Sequence, residues 1–66
     1  MNEKTLHALE QGKQINQIIN AVDSLVKANN KGSRVEHNLK GALPYLREAS
    51  KEQEAVVGFF LRQEQS

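Results

Sequence analysis

The chain has 66 residues, no cysteine, and 9 Lys and Arg against 8 Asp and Glu, for a net charge of +1. That length allows one domain, whose core rarely yields more than about 3–5 kcal/mol, so small folds lean on disulfides, a metal or self-association. Disulfides and thiolate metal sites are excluded, His7 and His37 lie too far apart in sequence to suggest a metal, and the balanced charge implies no strong field toward nucleic acid or membrane.

The longest apolar run, Val56 to Leu61, is too short to cross a bilayer, and Met1 to Leu6 lacks a signal peptide's apolar core. A cytoplasmic protein without cofactors is expected. Scarce Gly and Pro among abundant Gln, Asn, Glu, Lys, Ala and Leu favour helix over strand. The expected fold is all-α: an antiparallel hairpin with a helix over about 3–28, a turn at 29–32 and a long second helix over 33–63. It forms one domain across 1–66, assembled as a homo-oligomeric bundle.

The first fourteen residues carry Leu6 and Leu9, which point away from the apolar stripe that follows. Either the helix begins near Asn2 and shows these leucines to another neighbour, or it bends near Gly12. From Ile15 the pattern sharpens. Ile15, Ile18, Ile19, Val22, Leu25 and Val26 recur at three- and four-residue steps and define one apolar face. Asn29-Asn30-Lys31-Gly32 reads as a turn, since Asn and Gly tolerate the left-handed backbone that ends helices. Ser33 and Glu36 have capping-box spacing, which starts the second helix.

In that helix Leu39, Leu46, Gln53 and Phe60 fall at one heptad position, and Val35, Ala42, Ala49 and Val56 at the other. Gln53 is polar on this seam. It either sets register or lies beyond the end of the partner helix, in water. Pro44 removes one backbone hydrogen bond. It either kinks a continuous helix or opens a third helix after a break at Lys40-Gly41.

The apolar face from Ile15 to Val26 is about 17 Å long and the stripe from Val35 to Leu61 about 39 Å, at about 1.5 Å per residue. The surplus at the C-terminal end calls for another copy of the chain, with Phe59, Phe60, Leu61 and Gln53 as its interface.

No catalytic constellation is present, and no enzyme is expected: Glu48, Glu52 and Glu54 read as solvated helix residues beside Arg47 and Lys51. The hairpin turn is the one suggestive site. A helix start offers free amides and partial positive charge to an anion, and Lys31, Ser33, Arg34 and His37 cluster there. The plain alternative is a solvated turn with an ordinary cap, and Glu36 counts against an anion.

Leu39, Ala42, Leu46 and Ala49 give a Leu-x2-Ala-x3-Leu-x2-Ala spacing. In this the segment 39–50 resembles the second helix of small phage helical-hairpin proteins of the anti-CBASS type, which sponge the cyclic nucleotide signals of bacterial defence. Lys51 and Glu52 stand where that family has Met and Trp, and no binding residue transfers by position. The resemblance implies a cytoplasmic, non-catalytic homo-oligomer of phage type, acting in anti-defence by nucleotide sequestration. Three functions follow as expectations. The first is sequestration of a small phosphorylated ligand such as a cyclic nucleotide. The second is an inhibitor or adaptor that binds a host protein through Tyr45, Phe59, Phe60 and Leu61. The third, an RNA-binding hairpin dimer, ranks last because the cations gather at one end.

Overall fold

A computed structural model describes residues 1–65 as two helices, α1 over Glu3–Ala28 and α2 over Arg34–Gln65, with no strand among them. They pack as an antiparallel hairpin: Gln53 of α2 reaches Ala8 of α1, and Glu64 reaches Thr5. The molecule is a rod of 51 × 14 × 10 Å. Its radius of gyration, 15.4 Å, exceeds the value of about 11 Å for a compact chain of this length. It is a single layer of two helices, and few of the described residues are buried: Thr5, Ala8, Val26, Glu36 and Leu43.

Asn2 caps α1, its side chain accepting the Thr5 amide at 3.0 Å. The helix runs through Gly12 to Ala28 without interruption. It ends at Asn29, whose backbone is extended and whose side-chain Nδ2 donates to the Leu25 carbonyl at 2.7 Å. The left-handed residue comes later than the helix end. Gly32, at φ 83°, is the only described residue with positive φ, and it sits inside a turn closed by the Ser33 amide on the Asn30 carbonyl at 3.1 Å.

Ser33 caps α2 by accepting the Glu36 amide at 3.1 Å. The expected reciprocal bond does not form. The Ser33 amide already closes the turn, so the Glu36 carboxylate takes the Gly32 amide instead, at 3.0 Å. Pro44 lies inside α2, which continues from Arg34 to Gln65 without a break or a third helix.

The packing seam differs from the expected one on both helices. On α1, Thr5, Ala8, Gly12, Ile15, Ile19, Val22 and Val26 are buried or half-buried at alternating steps of three and four. That continuous heptad line begins at Thr5, not at Ile15, because small residues form its first half. Ile18 and Leu25, expected on the same face, are 50% and 51% exposed.

On α2, Leu39, Leu46, Gln53 and Phe60 do line the seam, but their alternates are Glu36, Leu43, Ser50 and Val57. Val35 and Val56 instead stand 55% and 40% exposed beside it. Leu43 and Val57 lie on the apolar stripe of the sequence, whereas polarity hides Glu36 and Ser50. Glu36 is buried through its bond to Gly32, and the Ser50 hydroxyl donates to Asn16 Oδ1 at 3.1 Å. Buried polar groups with partners carry no large penalty.

Candidate functional site

The start of α2 forms a shallow concavity of about 400 Å³ lined by Gly32, Ser33, Arg34, Glu36, His37, Asn38 and Lys40. Three of the four expected ligand residues, Ser33, Arg34 and His37, line it; Lys31 does not. Asn38 and Lys40 complete the wall. Lys40 belongs to the cations that the sequence gathers around this turn, one helical turn beyond Glu36, whereas nothing in the sequence marks Asn38.

The local chain builds this surface through its cap. Gly32 permits the tight turn, Ser33 stops the backbone in the right place, and the His37 amide bonds the Ser33 carbonyl at 3.0 Å to open the helical ladder. The first amides of a helix have no carbonyl partner within it. The Glu36 amide is taken by Ser33, and those of Arg34 and Val35 have no partner among the described residues.

Glu36 supplies the opposing charge. Its carboxylate is buried, holds the Gly32 amide and lies 3.7 Å from Lys40 Nζ. The Gly32 hydrogen bond holds its pKa below the usual carboxylate range; desolvation works the other way, and Lys40 and the nearby Lys31 add to the lowering. An ionised carboxylate therefore already occupies the turn side of the helix start. The Arg34 and His37 side chains make no hydrogen bond or ion pair among the described residues.

The residues expected to meet another chain divide. Gln53 is half-buried and is not simply wet: its Nε2 donates to the Ala8 carbonyl at 2.8 Å, over Gly12, where a Cβ would stand 3.6 Å from Gln53 Cγ. Phe60 is half-buried on the seam, with its ring centroid 5.9 Å from that of Phe59. Phe59 and Leu61 remain 51% and 36% exposed, and Tyr45 is 80% exposed. His7 is exposed on α1.

Among the described residues no group of three or more His, Asp and Glu could hold a metal ion. No helix among them is long and apolar enough to cross a membrane. No family model, curated protein or solved structure matches the chain.

Proposed function

We propose that the chain is a non-catalytic, homo-oligomeric binding protein that sequesters a small phosphorylated ligand of the cyclic nucleotide class at the start of α2. The observation that carries this is the concavity itself: Arg34 and His37 line it with side chains that have no partner among the described residues, at a helix start whose Arg34 amide is also unpartnered among them. Guanidinium and imidazole N–H donors bind phosphate oxygens through charge-assisted hydrogen bonds, and the helix start adds partial positive charge. Glu36, hydrogen-bonded to the Gly32 amide and paired with Lys40, shapes the pocket from the turn side and keeps its negative charge there. Pro44 lies beyond this first turn, and a kink there would redirect the rest of α2 without disturbing the cap. Phage origin and an anti-defence role belong to the same proposal, on the strength of the family resemblance.

Isothermal titration against cyclic di- and trinucleotides tests the reading. Binding is expected, and it is lost in the Arg34→Ala, His37→Ala double variant. No heat with any of these ligands removes it.

A second reading, an inhibitor or adaptor for a host protein, draws on the exposure of Tyr45 and Phe59. Capture of a defined partner that is lost on Phe59→Ala and kept on Arg34→Ala supports this alternative. The RNA-binding reading also gains an observation. Continuing the seam's heptads places Lys13, Lys27, Lys40, Arg47 and Lys51 along one side of the hairpin, not at one end, interspersed with Asp23, which pairs with Lys27, and Glu54.

A further inference from the structure

The heptads that define the seam also fix what lies on its two flanks. In an antiparallel pair each helix's residue just before the seam's first position faces its counterpart on the other helix. On one flank this brings together Ile18 and Leu25 of α1 with Val35, Ala42, Ala49 and Val56 of α2. Tyr45 and Phe59 border the same flank, where Glu52 is the only charged residue between positions 14 and 59. The opposite flank carries Lys13, Asp23, Lys27, Lys40, Arg47, Lys51 and Glu54.

The apolar flank has a shape as well as a composition. The Asn16–Ser50 hydrogen bond sets the level of the two helices. Counting toward the turn, Ile18 stands two residues beyond Asn16 and Ala49 one beyond Ser50. Leu25 stands nine beyond Asn16, and Ala42 eight beyond Ser50. At about 1.5 Å per residue each large side chain of α1 is within about 1.5 Å of the level of an alanine on α2. Knobs and hollows therefore alternate across one surface at matching heights.

We infer that this flank receives a second copy of the chain, forming a two-fold four-helix bundle in which α1 of each hairpin lies over α2 of the other. A two-fold axis parallel to the rod preserves height, so Ile18 and Leu25 of one copy descend on Ala49 and Ala42 of its partner. Every neighbouring pair of helices is then antiparallel. A two-fold across the rod would set α1 on α1 and oppose knob to knob.

The area suffices. From Val35 to Phe59 the face is about 36 Å long, and two helices side by side span roughly 18 Å. The two copies together bury about 1,300 Å², within the range of about 1,200–2,000 Å² for stable interfaces. This inference rests on the homo-oligomeric part of the proposed function and is independent of any ligand at the turn.

Sedimentation equilibrium of the full chain at about 100 μM is expected to give twice the 7.4 kDa chain mass. The Ile18→Glu, Leu25→Glu double variant is expected to give the monomer mass, while Asn20→Glu on another face stays dimeric. The natural chain has no cysteine, so an equal mixture of Ile18→Cys and Ala49→Cys chains reports the arrangement directly. Mild oxidation is expected to yield mainly the mixed disulfide dimer. This readout uses chains that keep the apolar face and holds even where the glutamate variant unfolds. A monomeric natural chain overturns both the inference and the homo-oligomeric reading. A dimer that survives the glutamates, or that cross-links Ile18→Cys mainly to itself, overturns the inference alone. Dissociation by Phe59→Glu together with survival of the glutamate pair moves the interface to the C-terminal aromatics.

Discussion

The two halves of the hairpin are held together by different chemistry. Near the turn, Ile15, Ile19, Val22 and Val26 face Leu39, Leu43 and Leu46, and the contact is made of branched apolar side chains. Near the termini, Thr5, Ala8 and Gly12 face Gln53, Val57 and Phe60, and Glu64 closes the end. There Gln53 bonds the Ala8 carbonyl, Thr5 Oγ1 lies 3.0 Å from Asn2 Oδ1 and 3.1 Å from Glu64 Oε2, and Glu64 accepts the Asn2 amide and faces the N-terminal ammonium at 3.8 Å. Small residues bring the helices close enough for hydrogen bonds to replace bulk. The first half is held by volume and the second by proximity, and substitutions should separate them.

The largest effect is expected in the turn-side half. Leu43 is only 7% exposed. Leu43→Ala should cost about 2–5 kcal/mol, as buried leucine truncations do. For a hairpin this small, thermal denaturation followed by circular dichroism should show little or no folded baseline at 37 °C.

The terminal half responds in the opposite sense, to added volume. Gly12→Leu should cost about 1–3 kcal/mol by overpacking, since its first carbon already reaches ordinary contact with Gln53 Cγ at 3.6 Å. Gly12→Ala stops at that contact and should gain about 1 kcal/mol of helix propensity. Gly41→Ala, with nothing within 4 Å of the added carbon, should gain the same. If Gly12→Leu melts no lower than Gly12→Ala, the close approach of the terminal half does not hold in solution.

This contrast also explains what could be read from sequence. The Asn29 to Gly32 run marks the turn, the Ser33–Glu36 spacing marks the cap, and hydrophobic periodicity marks α1 from Ile15 onward and the Leu39, Leu46, Gln53, Phe60 line. It missed Thr5, Ala8 and Gly12 because a seam of small residues has almost no hydrophobic signal; what marks it is the unbroken three-four spacing. It assigned Val35 and Val56 to the seam because valine is apolar and Glu36 and Ser50 are not. The structure reverses that choice through partners far apart in sequence, such as Asn16 for Ser50. Arg34 and His37 were placed at the helix start by proximity along the chain alone, whereas their lack of internal partners could not be seen there.

At the turn, capping effects should be smaller than those of the seam. Ser33→Ala removes the acceptor for the Glu36 amide and should cost about 1 kcal/mol. Its melting temperature should fall by less than that of Leu43→Ala. An equal fall would mean that the turn, not the apolar seam, dominates the stability of its half.

Glu36 gives that half a dependence on acid. The Gly32 amide, reinforced by Lys40 and Lys31, lowers its pKa in the folded chain. A carboxyl that ionises more readily when folded adds stability that is fully present above its unfolded pKa, about 4.3. That contribution is lost as pH falls through the lower folded value. Glu36→Gln keeps an acceptor for the Gly32 amide but removes the charge facing Lys40 and the helix start. The natural chain should therefore melt above Glu36→Gln at pH 7, and the gap should narrow as the solution is acidified below the unfolded value. A gap that stays constant with pH would mean the carboxylate acts by shape and hydrogen bonding alone.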